Sequence, residues 1–172
     1  TRVVHDSRSI EPGDLFCCIT GAHHDGHDHV EEAVGAGAVA VLAEHPVASD
    51  APVVVAESVR QTMPLLAAAV LGDPSHDLRV VGVTGTNGKT SVAHMLAGVL
   101  DSLGRRSEAI GTLSGIRTTP EAPEFQRCLA AWSREGVECV VAEVSSHALA
   151  QHRVDGTRFA GVAFTNLGRE HL

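Results

Sequence analysis

The chain has 172 residues, enough for one large or two small domains, and its 44% hydrophobic content is that of a globular protein. A formal net charge of −8, with no basic cluster interleaved with aromatics, argues against nonspecific nucleic-acid binding, and no apolar run approaches the ~20 residues that span a bilayer. There is no signal-peptide pattern, and Cys17, Cys18, Cys128 and Cys139 form no C-x-x-C pair, so reduced, buried thiols in a cytoplasmic protein are expected.

In chain order, Val3-Val4-His5 reads as a short strand and Pro12-Gly13-Asp14 as a turn. Leu15 to Ile19 is an apolar strand, in which Cys17 and Cys18 would face opposite sides. A polar loop, Gly21 to His29, leads into a helix from about Asp28 to Ala36. Ala38 to Leu42 is a continuous apolar run, as for a parallel strand buried on both faces. Val53-Val54-Val55 is a further strand and Val59 to Leu71 a helix, with Pro64 expected in its first turn, where a missing N–H costs little. The turn signal Gly72-Asp73-Pro74 closes this α/β unit.

A second unit starts near Asp77. The run Val80 to Thr84 feeds the turn Gly85-Thr86-Asn87-Gly88, and a helix opens at Lys89 with Val92, Leu96, Val99, Leu100 and Leu103 on one face and Gly104 as its stop. Strand, glycine turn and helix N-terminus together make an anion site: backbone N–H groups point at the ligand, the helix dipole favours negative charge, and a lysine reaches the outer phosphates. Thr90 and Ser91 follow the lysine, where a hydroxyl can ligate Mg²⁺. The strict pattern G-x-x-x-x-G-K-[ST] is not met, since its first glycine would fall at Val83. Lys89 is nevertheless the only lysine beside twelve arginines, and an ammonium at a phosphate cradle is not interchangeable with a guanidinium. The stretch reads as a nucleoside triphosphate site.

Beyond it come a strand from Arg105 to Ile110, a Gly/Ser/Thr-rich loop through Thr118-Thr119-Pro120, and a helix from about Pro123 to Glu135. The strand Val137 to Val144 follows, then a short helix opened by Ser145-Ser146-His147, and a last strand from Gly161 to Phe164. Such alternation implies a parallel sheet with ligands at the carboxyl ends of its strands, which carry Thr84-Gly85, Glu143-Val144-Ser145 and Thr165-Asn166. His23, His24, Asp25, His27, Asp28 and His29 are sufficient ligand types for zinc. They crowd into seven residues with no spaced second pair, so a solvated loop is expected rather than a metal centre.

Several of these stretches resemble the Mur ligases. Asp6-Ser7-Arg8, Pro12-Gly13-Asp14-Leu15-Phe16 and Asp25-Gly26-His27 match the family's N-terminal domain. Gly85-Thr86-Asn87-Gly88-Lys89-Thr90, Thr118-Thr119-Pro120-Glu121, Glu143-Val144-Ser145-Ser146-His147-Ala148-Leu149, Gln151-His152-Arg153-Val154 and Phe164-Thr165-Asn166-Leu167 follow in the family's order. The set is similar to the tripeptide-synthetase (MurE) type. The phosphate loop is shared with folylpolyglutamate synthetases, against which the Thr-Thr-Pro and Ser-Ser-His motifs argue.

The resemblance implies a small N-terminal α/β domain over 1–75, binding the UDP end of the substrate, and part of a P-loop parallel-sheet ATPase domain over 76–172. It implies an ATP-dependent ligase of peptidoglycan precursor synthesis that adds a third, diamino acid to UDP-MurNAc-L-Ala-D-Glu. It also implies a monomer with no nucleic-acid partner and no membrane insertion. Lys89 and the Gly85–Gly88 backbone would hold ATP. Thr90 and Glu143 would ligate one Mg²⁺, with His171 helping to hold a second; Lys89, Glu143 and His171 would be the catalytic set. Thr118, Thr119, Ser145 and Arg153 would bind the muramoyl-dipeptide end, and Ser7 the uridine end. The family's Asp-His-Leu-Asp-Tyr-His-Gly pattern stands here as Glu170-His171-Leu172, and its carbamylated lysine has no counterpart. A chain starting at Thr1 and ending at Leu172 reads as a piece of a longer enzyme, inactive by itself. The other reading is a non-catalytic module that binds nucleotide or UDP-muramoyl ligands.

Overall fold

The structure, a computed structural model, describes residues 1–21, 24–115 and 117–168. The chain divides into two compact units, Thr1–Val70 and Leu71–Leu172.

The first unit is a four-stranded, all-parallel sheet in the order β1 (Val3–Val4), β2 (Leu15–Cys17), β3 (Ala40–Ala43), β4 (Val53–Val55). Its helices are α1 (Val30–Gly35), entered through a 3₁₀ turn at Gly26–His29, and α2 (Val59–Val70). Phe16, Cys18, Val30, Ala33, Ala38, Val41 and Ala43 form its core. The run Ala38–Leu42 is not buried throughout: Val39 is half exposed and the strand itself begins at Ala40. Pro64 is the sixth residue of α2, not part of its first turn. It lacks the N–H that would reach the Arg60 carbonyl, yet it is buried with Val59, Met63, Ala67 and Ala68, so packing holds the helix where propensity does not. Cys17 and Cys18 are both buried, and all four cysteines are free thiols. Burial raises the pKa of both, Cys18 to about 12, which keeps them unreactive near neutral pH.

Asp14, on the turn into β2, is buried and gripped by Arg2, whose Nε and Nη2 donate to its two oxygens at 3.0 and 2.6 Å, while the Glu11 N–H donates at 2.8 Å. These bonds tie the N-terminal strand to the loop before its neighbour.

The second unit is also an all-parallel sheet, order β6 (Ser107–Ile110), β7 (Cys139–Glu143), β5 (Arg79–Thr84), β8 (Phe159–Phe164). Helix α3 (Lys89–Ser102) covers one face, packing Ala93 and Ala97 on Val83 and Val141. Helix α4 (Ala122–Arg134) and the short α5 (Ser146–Ala150) cover the other, where Phe125, Leu129 and Ala148 meet Val80, Val140 and Ala142. Of the expected apolar face of α3, Val92, Leu96 and Leu100 pack against this core beside the two buried alanines, whereas Val99 and Leu103 are exposed. Strand β8 starts at Phe159, two residues before the expected glycine. Gly82 in β5 makes this possible, since a Cβ there would lie 3.1 Å from the Phe159 ring.

Candidate functional site

Strand β5 lies between β7 and β8, so the carboxyl ends expected to carry the chemistry are three neighbours in one sheet. The loop Gly85–Gly88 leaves β5 in a conformation that only glycine adopts easily. Gly85 has φ +129, and a Cβ there would fall 2.2 Å from Thr165 Oγ1. Gly88 (φ +83) is the N-cap of α3, and no side chain caps that helix. The first helical bond runs from the Val92 N–H to the Gly88 carbonyl, leaving the amides of Lys89, Thr90 and Ser91 without intrahelical partners. Lys89 Nζ folds over the loop, donating to the carbonyls of Gly85 and Thr86 at 2.7 and 2.9 Å.

The residues after β8 brace this loop. Thr86 N–H donates to the Asn166 carbonyl at 3.0 Å and Asn87 N–H to Asn166 Oδ1 at 3.0 Å; Asn166 Nδ2 and Thr165 Oγ1 donate to the Asn87 carbonyl at 3.0 and 2.7 Å. Two of the amides expected to face a ligand are therefore engaged inside the protein. The amides at the start of α3 keep their donors, and Lys89 has one N–H beyond its two bonds to loop carbonyls. The Thr165-Asn166 pair was placed at the site by its strand end, but its bracing role had no sequence signal.

Glu143, the last residue of β7, is fully buried. Its Oε1 accepts from the Thr112 N–H at 2.9 Å. Its Oε2 accepts from the Thr90 hydroxyl at 2.8 Å and from the Thr112 hydroxyl at a long 3.4 Å. Gly111 allows this packing, because a Cβ there would stand 1.8 Å from Oε1 and 2.4 Å from Cδ. Sequence reasoning missed both Gly111 and Thr112. The pairing of Ile110 with Ala142 puts them beside Glu143, and single-chain periodicity does not show pairing across strands. Its hydrogen bonds come from two threonines, through two hydroxyls and one backbone N–H. Burying a carboxylate is costly, and one flanked by hydroxyl oxygens matches the ligand chemistry of a hard divalent cation.

The residues assigned to the muramoyl-dipeptide end cluster beside Glu143. Thr119 is buried, its hydroxyl donating to the Glu143 carbonyl at 2.8 Å and accepting the Ser145 N–H at 3.1 Å, so it holds the end of β7 in place. Ser145 Oγ caps α5 through the Ala148 N–H at 3.1 Å. Two residues past the end of α5, His152 lies in the left-handed region with φ 57, and the chain turns so that Arg153 Nη1 reaches the Thr119 carbonyl at 2.9 Å. Arg153 also pairs with Glu121 at 2.9 Å and with Gln151 Oε1. Thr118 is half-buried, with its hydroxyl 3.0 Å from that of Thr112. The structure thus brings together Thr90, Glu143, Thr118, Thr119, Ser145 and Arg153. His171 lies outside the described residues, as does His23.

In the first unit Ser7 sits in a 3₁₀ turn capped by Asp6, its hydroxyl donating to Glu32 Oε2 at 3.1 Å. The Arg8 side-chain bond lowers the Asp6 pKa to about 2, so the cap stays ionised. His27 is not a solvated loop residue. Its Nδ1 meets Asp25 Oδ1 at 2.5 Å, its Nε2 accepts the Glu44 N–H at 3.0 Å, and its ring stacks on His45 at 4.3 Å. No group of three or more His, Cys, Asp or Glu positioned to hold a metal occurs among the described residues.

Two family models match the chain: the Mur ligase middle domain over residues 83–172, and the Mur ligase family, catalytic domain over residues 1–75. The UDP-N-acetylmuramoyl-L-alanyl-D-glutamate–2,6-diaminopimelate ligase of Geobacillus thermodenitrificans is 45% identical over 97% of this chain and 36% of its own length. The ligase of the same name from Bacillus licheniformis is 39% identical over 100% of this chain and 37% of its own. Among solved structures, a diaminopimelate ligase of that name superposes with a TM-score of 0.87 at 30% identity, over 99% of this chain and 37% of the other. A MurF ligase from Thermotoga maritima in complex with ADP superposes with 0.72 at 27% identity, over 97% of this chain and 38% of the other. The chain spans little more than a third of the length of these relatives.

Proposed function

The chain belongs to the Mur ligase family, and on that premise we propose that it forms the nucleotide- and acceptor-binding part of a cytoplasmic, ATP-dependent amide ligase of peptidoglycan precursor synthesis. The whole enzyme would join a diamino acid to UDP-MurNAc-L-Ala-D-Glu. The names of the relatives support 2,6-diaminopimelate as that amino acid.

In the proposed reaction an oxygen of the acceptor's D-glutamyl carboxylate attacks the γ-phosphorus of ATP, the bond to the bridging oxygen breaks, and ADP leaves. The amine then attacks the acyl phosphate carbon and gives up a proton, and inorganic phosphate departs. Phosphoryl transfer asks a protein mainly for positioning and charge neutralisation. Lys89 and the free amides opening α3 would hold the outer phosphates. Thr118, Ser145 and Arg153 would orient the acceptor carboxylate, with Thr119 keeping the end of β7 in place beneath it. Ser7 would meet the uridine end and His171 would assist the second metal. Thr90 and Glu143 would hold Mg²⁺, which when bound supplies neutralisation of phosphate charge.

The observation that carries this reading is the buried Glu143 carboxylate against the Thr90 hydroxyl, one residue from the lysine of a glycine loop. Calorimetric titration with a nonhydrolysable ATP analogue tests it. Lys89→Arg is expected to lose affinity by about 2 kcal/mol or more despite keeping its charge, because a fork cannot replace the ammonium over the loop. Glu143→Gln is expected to abolish the Mg²⁺ dependence of binding. Equal affinities for wild type and Lys89→Arg would remove Lys89 from the phosphate site. Phosphate release with the UDP-MurNAc-dipeptide, Mg²⁺-ATP and diaminopimelate separates ligase from binding module. A polypeptide of these 172 residues alone is expected to bind without turnover, and the longer enzyme to turn over.

A further inference from the structure

The loop after β6 is taken up by no role described so far, yet it touches both halves of the site. Thr112 holds Glu143 twice. Its N–H fixes Oε1, and its hydroxyl lies 3.4 Å from Oε2 while standing 3.0 Å from the Thr118 hydroxyl. The loop is tightly built: Gly111 leaves no room for a Cβ against the carboxylate, and its N–H and carbonyl both bond the Ser114 hydroxyl, at 2.8 and 3.0 Å. Thr112 is therefore held in register with Glu143 from its own backbone.

A threonine hydroxyl has one proton. If Thr112 donates to Oε2, Thr118 must donate to Thr112, and the Thr118 proton is not available to a ligand. If Oε2 is occupied otherwise, the Thr112 proton turns to Thr118 Oγ1, and the Thr118 hydroxyl becomes a donor to whatever sits beside it. A cation on Oε2 would favour the second arrangement, since its charge repels the Thr112 hydroxyl proton from a contact that is already long at 3.4 Å.

Resting on the metal and acceptor roles proposed above for Glu143 and Thr118, we infer that Thr112 is a positioning residue whose hydroxyl couples divalent-cation binding at Glu143 to binding of an anionic acceptor group at Thr118. The coupling has a definite sign. Cation binding frees the Thr118 proton for an anionic acceptor. By linkage, the acceptor, in drawing that proton, withdraws the Thr112 hydroxyl from Oε2 and raises cation affinity by the same factor. Direct attraction between cation and anion adds to this coupling, but it does not pass through Thr112.

The test is a titration of the chain with Mn²⁺, read from the electron paramagnetic resonance signal of the free ion, with and without saturating UDP-MurNAc-L-Ala-D-Glu. It compares wild type, Thr112→Val, Thr112→Ser and Glu143→Gln. Thr112→Val keeps the shape and the N–H that fixes Oε1, and deletes only the hydroxyl. The factor by which the acceptor tightens Mn²⁺ is expected to fall by about fivefold or more in Thr112→Val, within the usual range for coupled sites, and to be restored in Thr112→Ser. A merely structural role would change melting temperature or overall Mn²⁺ affinity and leave this ratio alone. The same ratio in wild type and Thr112→Val overturns the relay while leaving the metal site standing. Wild type binding Mn²⁺ no better than Glu143→Gln overturns the metal reading, and the relay with it.

Discussion

Replacing Gly111 with alanine tests the geometry of the site through a residue that would itself contact no ligand but packs against the Glu143 carboxylate. The added Cβ would stand 1.8 Å from Glu143 Oε1, 2.4 Å from Cδ and 2.7 Å from Cγ, so the glutamate side chain must move. Gly111 lies outside the left-handed region, so alanine meets no backbone strain there; at an open position it would stabilise by about 0.4–1 kcal/mol through the unfolded chain. Glu143 cannot yield cheaply, because it is fully buried and its two oxygens accept from Thr112 N–H and the Thr90 hydroxyl. Losing one charged hydrogen bond costs about 1.5–3 kcal/mol, and overpacking costs about 1–3 kcal/mol. A net loss of about 2–4 kcal/mol in the second unit's urea transition is therefore expected, together with weaker Mn²⁺ binding. The cycle with Glu143→Ala isolates the cause. With the carboxylate truncated, Gly111→Ala should cost less than about 0.5 kcal/mol. An equal cost in both backgrounds, or none in the wild type, would refute the argument that the carboxylate lies against Gly111.

Two predictions concern the first unit. Burial pushes the Asp14 carboxyl up, but the bonds from Arg2 and the Glu11 N–H outweigh it and hold the pKa below the ordinary carboxylate value. Stability from this contact is therefore complete above the unfolded carboxylate pKa of about 4 and lost as pH falls through the lower folded value. Arg2→Ala should be less stable than wild type at pH 7, with the gap narrowing as pH falls below the unfolded carboxylate value; urea midpoints across that range check it, and a constant gap would mean the pair carries no linkage. His27→Leu should cost about 0.5–1.5 kcal/mol, because it removes the ring's bonds to Asp25 and to the Glu44 N–H while Asp25 keeps the backbone N–H of residue 27. In a Glu143→Gln background, which removes the cation site proposed above, thermal melts with and without a chelator should agree, and a melting point lowered by the chelator there would return the histidine loop to the metal candidates.

The fold class was legible because strand–helix alternation is written in local sequence. Val53–Val55 and the opening of α3 at Lys89 fall where periodicity placed them. The misplacements are those where a neighbour in space overrides a local rule. Pro64 should end or open a helix, but burial among Met63, Ala67 and Ala68 keeps it in the second turn of α2. Gly161 reads as a boundary, yet pairing with β5 carries β8 through it from Phe159. On α3 the stripe holds at Val92, Leu96 and Leu100, which pack on the core of the sheet, and fails at Val99 and Leu103, which are exposed.

The same division runs through the site. A glycine loop, a lysine and a strand-end glutamate announce their chemistry by residue type, because that chemistry needs those groups and few others. What makes them usable has no such signature. Asn166 braces the loop from the far side of β5, and in doing so it takes two amides away from the ligand. Thr119 resembles a ligand-binding threonine in its motif, but its hydroxyl is used between Glu143 and Ser145. Gly111 is one glycine in a loop containing several small residues, distinguished only by the carboxylate lying where its Cβ would be. These supports act across strand pairs β5–β8 and β6–β7, and pairing partners are set by topology rather than by neighbours in sequence. Residue type names the groups that meet a ligand, and the sheet order decides which of them remain free to meet it.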